Sequence, residues 1–147
     1  MSYYCDVYPP DTLWPYKYVM VFSRYQGKYL LSRHKERTTW ETQGGHIEPG
    51  ETPLQAAKRE LFEESGAIRY QIEPLFDCRA EDARGEANGV VFLAEIEELG
   101  PLPQSEMAEV KTWEQLPENL TYPLLTKSLW GALQENAKRI DRSKERV

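Results

Sequence analysis

The chain has 147 residues, of which 40% are hydrophobic and 29% charged, and this composition fits one globular domain spanning residues 1–147 rather than a disordered chain. The net charge of −6 argues against a protein that coats DNA or RNA, because phosphate backbones require basic surfaces. The sequence shows no secretory signal and no apolar run of about 18 residues. The two cysteines, Cys5 and Cys78, lack metal-ligand spacing. We therefore expect a cytoplasmic protein with reduced thiols and no membrane association.

The first third of the chain predicts an irregular start followed by strands. Three prolines indicate that residues 1–15 are an irregular lead-in. Aromatic and β-branched residues at 18–22 and 29–31 predict two strands, and 25–28 between them fits a hairpin turn. A further short strand over 40–45 is expected to run into a loop.

That loop has the sequence GGHIEPGE and leads into a helix with strong start and stop signals. Thr52 is a suitable N-cap, Gln55 completes a capping box with it, and Pro53 fits the first helical position. Gly66 ends the predicted helix. Three glycines and a proline in the loop indicate a special backbone conformation rather than a simple connection.

The second half of the chain predicts further strands and a closing helix. Strands are expected over 68–78 and 89–96, with a polar loop over 80–88 between them, and over 110–113. A last helix opens at Pro123 and carries leucines at four-residue spacing, typical of core packing. The order of elements predicts an α/β sandwich, a mixed sheet with helices on its faces.

Three carboxylates crowd the stretch KRELFEESG of the first helix. At about 100° per residue, Glu60 and Glu64 lie about 40° apart and Glu63 is their next neighbour. Like charges at this spacing repel by roughly 0.2–0.5 kcal/mol a pair. We expect the cluster at the edge of the buried surface and not opposite to it. The predicted buried stripe consists of Leu54, Ala57 and Leu61.

A divalent metal ion would relieve this repulsion. Mg²⁺ prefers oxygen ligands and is usually held by one or two carboxylates together with substrate phosphates. It would neutralise a diphosphate and activate a water molecule. Arg59 either orients Glu51 or Glu63 by a forked ion pair, or forms a plain surface pair with Glu63.

These residues together resemble the Nudix box, the signature of the Nudix (MutT-type) hydrolases. The resemblance implies an α/β/α sandwich with a mixed β-sheet that cleaves a nucleoside diphosphate linked to another group, using water and Mg²⁺ or Mn²⁺. The positions that carry the resemblance are Gly45, Glu51, Arg59-Glu60-Leu61, Glu63-Glu64, Gly66 and Ala67.

The resemblance also implies roles for residues of the box. Glu60, Glu63 and Glu64 would be the metal ligands, joined by the backbone carbonyl of Gly44 or Gly45. Glu51 and Arg59 would orient this cluster. One departure from the common pattern is Gln43, which precedes the glycine pair where proline is usual. Glutamine also occurs there in the RNA 5′-pyrophosphohydrolases of the family.

The general base and the substrate contacts lie outside the box. Glu106 and Glu109, just before the predicted strand at 110–113, are the favoured bases, with Glu81 and Asp82 as rivals. Arg33 is a candidate phosphate contact, because the arginine fork suits phosphate.

The expected substrate class is a small nucleotide or other diphosphate compound, for example an oxidised nucleoside triphosphate. A catalytically silent Nudix-fold binding module and an RNA 5′-pyrophosphohydrolase-like activity are the alternatives. No nucleic acid polymer is expected as a partner, and monomer and homodimer both remain open.

Overall fold

The computed structural model describes residues 4–82 and 85–145 as eight strands and two helices. The strands are β1 (Tyr4–Tyr8), β2 (Tyr18–Tyr25), β3 (Lys28–His34), β4 (Trp40–Glu41), β5 (Gln43–His46), β6 (Ala67–Asp82), β7 (Gly85–Leu99) and β8 (Met107–Trp113). The helices are α1 (Pro53–Ser65) and α2 (Pro123–Glu145). No helix among these residues is long and apolar enough to cross a membrane.

The strands form one mixed sheet, as the order of elements predicts. Its main path is β1-β6-β7-β2-β3-β4, with β5 paired to β2 and β8 paired to β3. The pairing of β2 with β7 is parallel, whereas the other pairings are antiparallel. The predicted fold class, an α/β sandwich, is therefore confirmed.

Two hydrophobic clusters cover the two faces of the sheet. On one face, α1 contributes Ala56, Ala57 and Leu61, which are fully buried against strand residues such as Val21 and Phe92. On the other face, α2 contributes the predicted leucine stripe. That stripe is Leu125, Leu129 and Leu133, all of them buried. The carboxylate-bearing helix is thus packed directly onto the centre of the sheet.

The lead-in prediction was only partly right, because part of the segment is a strand. β1 pairs antiparallel with β6, and Val7 lies opposite Cys78. The irregular part begins at Pro9, where the prolines occur. A sequence window does not contain the pairing partner, about 70 residues away, and an edge strand depends on that partner for its hydrogen bonds.

A buried carboxylate anchors the irregular part of the lead-in. Oδ2 of Asp77 accepts hydrogen bonds from the backbone nitrogens of Thr12 (2.8 Å) and Leu13 (2.9 Å). It also accepts one from the hydroxyl of Tyr16 (2.6 Å). These bonds join the lead-in to β6, so the irregular segment is fixed to the sheet.

The predicted polar loop over 80–88 was wrong where the structure describes it. β6 and β7 continue past the predicted strand ends as a hairpin, in which Glu81 pairs with Glu86 and Asp82 with Gly85. Ala83 and Arg84 lie outside the described residues. The extension is polar because Glu81 and Glu86 are exposed, and the polarity concealed its strand character.

The boundaries of α1 are as predicted. Thr52 and Gln55 form the capping box, Pro53 occupies the first turn, and Gly66 adopts the left-handed conformation at φ 81°. The buried stripe differs at one position, since Leu54 in the first turn is 41% exposed. The helix is rotated toward the side of Ala56, and residues that follow at four-residue spacing, Glu60 and Glu64, share that side.

Candidate active site

The two glycines of β5 allow close approach of a different neighbour at each position. A β-carbon on Gly45 would lie 2.5 Å from Oε1 of Glu60, and one on Gly44 would lie 2.4 Å from the carbonyl oxygen of Val19. Any larger residue therefore forces the carboxylate of α1 to move at position 45 and the backbone of β2 to move at position 44. Gly45 is thus the glycine that admits a helix carboxylate against β5.

Glu64 carries a carboxylate that is short of positive partners. Its Oε1 accepts a hydrogen bond of 2.7 Å from the backbone nitrogen of Gly44. Burial, together with the neighbouring carboxylates of Glu60, Glu41 and Glu106, nevertheless raises the pKa of Glu64 to about 8. A cation placed here would therefore be strongly favoured.

Arg59 connects four groups of the site. Its Nε and one terminal nitrogen grip both oxygens of Glu51, at 2.7 and 2.9 Å, and hold the pKa of Glu51 at about 2. Its other terminal nitrogen lies 2.8 Å from Glu60 and 3.6 Å from the 47%-exposed side chain of Glu63. The terminal nitrogen that contacts Glu51 also donates to the carbonyl oxygen of His46 at 3.1 Å. Arg59 therefore forms the forked ion pair with Glu51, and its contact with Glu63 is a single longer one.

The donor set fits a hard divalent cation, although no metal site is assembled. Among the described residues, no three acidic, histidine or cysteine side chains converge as a metal-binding group. Glu60 is directed to Arg59, and Glu64 to the backbone of β5. Mg²⁺ usually takes only one or two carboxylates and completes its shell with water and phosphate. Burial raises the pKa of Glu60 as well, with Arg59 opposing the rise, so both inner carboxylates gain from a cation.

Glu41 is a further carboxylate near Glu64, and sequence analysis missed it. Its side chain is only 13% exposed and forms an ion pair of 3.2 Å with Arg37. It also accepts a hydrogen bond of 3.1 Å from the hydroxyl of Thr121. The one signal in the sequence was a charged residue directly after Trp40 in a predicted strand. The number of residues between Glu41 and the acids of α1 gives no sign that they are close.

The favoured bases and the phosphate contact lie around β3 and β8, whereas the rival bases Glu81 and Asp82 are at the hairpin end of β6. Glu109 is inside β8 rather than before it, and its Oε1 accepts from Nε of Arg33 at 2.7 Å. A second nitrogen of Arg33 donates to the carbonyl oxygen of Arg37 at 3.0 Å. Glu106 is 84% exposed and lies 3.6 Å from Nε2 of His34. The structure therefore joins the proposed phosphate ligand to one proposed base and leaves the other base accessible.

The sandwich, the glycine pair and the carboxylate helix define a Nudix-type fold, and comparison with known proteins identifies the family. The sequence profile described as NUDIX domain matches residues 15–133. The chain therefore belongs to the NUDIX family.

Among curated proteins, the chain is 34% identical over 108 residues to YtkD of Bacillus subtilis (strain 168), a protein named as a candidate 8-oxo-dGTP diphosphatase. This match covers 71% of the chain and 66% of that protein. The chain is also 40% identical over 60 residues to the RNA pyrophosphohydrolase of Proteus mirabilis (strain HI4320). This second match covers 41% of the chain and 34% of that enzyme. The chain thus matches less than two thirds of the length of these relatives.

Solved structures are similar over more of the chain. The pyrophosphohydrolase BsRppH of Bacillus subtilis superposes with a TM-score of 0.74 at 25% identity, covering 95% of this chain and 90% of that one. A NUDIX hydrolase from Nitrosomonas europaea superposes with a TM-score of 0.65 at 20% identity, covering 83% and 90%. The second likeness concerns the fold alone.

Proposed function

We propose that the protein is a metal-dependent pyrophosphohydrolase that uses water to cleave a phosphoanhydride bond at the 5′ end of a nucleotide. The observation that carries the proposal is the pair of partly buried carboxylates, Glu60 and Glu64, whose pKa values are raised beside the glycine pair of β5. Glu60 has Arg59 beside it, whereas the carboxylate of Glu64 has only a backbone donor among the described residues, so its charge is costly without a further cation. Membership of the NUDIX family supports the same reading.

The residues that would hold the ion are Glu60, Glu63 and Glu64, with the carbonyl oxygen of Gly45 or its neighbour Gly44. A bound Mg²⁺ or Mn²⁺ supplies charge neutralisation for the diphosphate and activation of the attacking water. Glu63 is the most exposed of the three acids and is therefore suited to an ion that also contacts substrate. Arg59 holds Glu51 by two hydrogen bonds and keeps Glu60 in place on the helix face.

Glu106 is the better of the two proposed bases. Its accessible carboxylate is close enough to Glu64 to raise that residue's pKa. Glu109 accepts a hydrogen bond from Nε of Arg33, and its side chain is less exposed to water than that of Glu106. Arg33 binds phosphate in this scheme only if it exchanges Glu109 for the substrate.

The substrate class is a nucleoside triphosphate, an oxidised purine nucleotide among them. This choice follows from the net charge of −6, which disfavours binding of a long phosphate backbone, and from the name of the Bacillus relative. An RNA 5′-triphosphate end is the second candidate, supported by Gln43 before the glycine pair and by the RNA pyrophosphohydrolase relatives. Both substrates present the same triphosphate chemistry.

One assay tests the activity and separates the two substrates. The protein is incubated with Mg²⁺ and equal concentrations of dGTP, 8-oxo-dGTP, a nucleotide sugar or a 5′-triphosphate RNA oligonucleotide, and released phosphate, pyrophosphate and nucleoside monophosphate are measured. We expect turnover of the free triphosphates that is lost on addition of EDTA. Preference for the RNA by more than about 10-fold in kcat/KM would replace the first substrate by the second.

Two variants supply the controls. Glu63→Gln removes a proposed ligand without changing side-chain size, and we expect it to abolish turnover. Glu73→Gln changes an exposed acid on β6 and should leave turnover unchanged. Absence of turnover of every substrate, or turnover that Glu63→Gln does not affect, would favour the catalytically silent binding module instead.

A further inference from the structure

We infer that Gln43 and Ser32 are positioning residues, which hold the carboxylate of Glu64 in place through a chain of buried hydrogen bonds. Gln43 and Ser32 are both fully buried, at 0% exposure. Nε2 of Gln43 donates to Oγ of Ser32 at 2.9 Å, and Oγ of Ser32 donates to the backbone carbonyl oxygen of Glu64 at 2.8 Å. The inference rests on the proposed function, in which Glu64 is a metal ligand.

The chain of bonds has one direction only. A serine hydroxyl has one hydrogen, so Ser32 accepts from the amide of Gln43 if it donates to Glu64. The other amide hydrogen goes to the carbonyl oxygen of Leu30 at 3.2 Å, and Oε1 accepts from the hydroxyl of Ser23 at 2.6 Å. These partners fix the orientation of the amide. A proline at position 43 has no side-chain amide and would supply none of these bonds.

Strand β5, which carries Gln43, also contacts the carboxylate of Glu64 directly. Gly44 follows Gln43 directly, and its backbone nitrogen donates to Oε1 of Glu64 at 2.7 Å. The side chain of Gln43 therefore reaches the backbone of Glu64 through Ser32, while the adjacent peptide reaches its carboxylate. Backbone and carboxylate are both tied to β5, which leaves Glu64 little freedom to move. Partners of this kind around a metal ligand typically affect affinity by about 10–100-fold.

The network contains its own matched control. Ser23 is as deeply buried as Ser32, at 2% against 0%, and contacts the same amide of Gln43 from the opposite side. Each serine-to-alanine change removes the contact with Gln43 and one contact with a backbone carbonyl oxygen, that of Glu64 for Ser32 and that of Leu30 for Ser23. Only the Ser32 change breaks the connection to Glu64. A purely structural network would therefore respond similarly to both changes, whereas a positioning network would not.

The test compares Ser32→Ala with Ser23→Ala in two measurements that do not depend on turnover. The first is Mn²⁺ affinity, from electron paramagnetic resonance titration of free Mn²⁺. The second is the hydrogen-exchange rate of the Gly44 amide in the metal-free protein. The reference is the amide of Gly66, which donates to the carbonyl oxygen of Phe62 at the end of α1. We expect Ser32→Ala to weaken Mn²⁺ binding by about 10-fold and to speed Gly44 exchange by a similar factor. Ser23→Ala should change both by less than about 3-fold.

The outcomes separate this inference from the proposed function. Equal effects of the two serine variants would overturn the positioning role. Mn²⁺ binding that Glu64→Gln leaves unchanged would overturn the proposed function instead, because Glu64 would then not be a ligand. If Ser32→Ala does not fold, Ser32→Cys and Ser23→Cys make the same comparison, since cysteine retains the volume and weakens the donor. Ser32→Thr, which keeps the hydroxyl, should restore Mn²⁺ affinity to within about 3-fold of the wild-type value.

Discussion

Asp77 and Glu64 are both removed from water, Asp77 fully and Glu64 in part, yet their surroundings are opposite. Asp77 is 1% exposed and receives three hydrogen bonds on Oδ2, from two backbone nitrogens and Tyr16, although Oδ1 bonds none of the described residues. The carboxylate of Glu64 receives one hydrogen bond, from the backbone of Gly44, and has three other carboxylates as neighbours. The difference indicates that Asp77 joins chain segments, whereas Glu64 retains charge that a cation can use. Burial of an acid is therefore informative only together with its partners.

The largest expected effect is on catalysis. Glu64→Gln should reduce kcat/KM with Mg²⁺ by more than about 100-fold, beyond the loss typical of residues that only support a metal ligand. Asp77→Asn should leave the kcat of the folded protein within about 3-fold of the wild-type value. Steady-state hydrolysis of the preferred nucleotide measures both. Comparable losses in the two variants would remove the distinction between the two carboxylates.

The stability of the metal-free protein should change in the opposite sense. The pKa of Glu64 is about 8 when folded and about 4.5 when unfolded, so ionisation opposes folding as pH rises between these values. In EDTA, Glu64→Gln should therefore be more stable than the wild type, by an amount that grows from pH 5 to pH 8 and reaches on the order of 3 kcal/mol.

Urea unfolding at pH 5 and pH 8 measures this difference. Added Mg²⁺ should stabilise the wild type and not Glu64→Gln, because only the wild type retains the ligand. A wild type that is the more stable protein at pH 8 in EDTA would show that Glu64 is already satisfied without metal.

Asp77→Asn should have a smaller effect, this time on folding. Loss of the charged acceptor weakens the bonds from Thr12, Leu13 and Tyr16, at a cost of about 1–3 kcal/mol in the free energy of unfolding. Urea unfolding measures the cost. Asp6→Asn, an exposed acid on β1, is the control and should change stability by less than about 0.5 kcal/mol.

Tyr16→Phe should have the smallest effect, since it removes one of the three donors to Asp77. We expect a loss of about 1 kcal/mol at pH 7 by thermal unfolding. Burial and the bond to Asp77 raise the pKa of Tyr16 to about 12, so this stabilisation persists through neutral pH and declines only as pH rises from about 10 toward 12. Tyr25→Phe, whose hydroxyl bonds none of the described residues, is the control and should be neutral.

The sequence predicted the helix of the site better than the strands around it. The N-cap Thr52 and the C-terminal Gly66 were right because helix signals act within about four residues of the chain. The polar stretch at 80–88 was misassigned because strand formation depends on a partner. Glu109 was expected before β8 and lies inside it, opposite Arg33, because the register with β3 determines where β8 begins.

What the sequence by itself determined is local: the limits of α1, the spacing of Glu60, Glu63 and Glu64 on it, and the family likeness that follows from that spacing. Only the tertiary structure decided how far each of these acids is removed from water and that Glu41 lies near them. It also decided that Gln43 reaches Glu64 through a serine of another strand. The physical reason is distance along the chain, because burial and hydrogen bonding between residues 20 or more positions apart leave no periodic trace in the sequence.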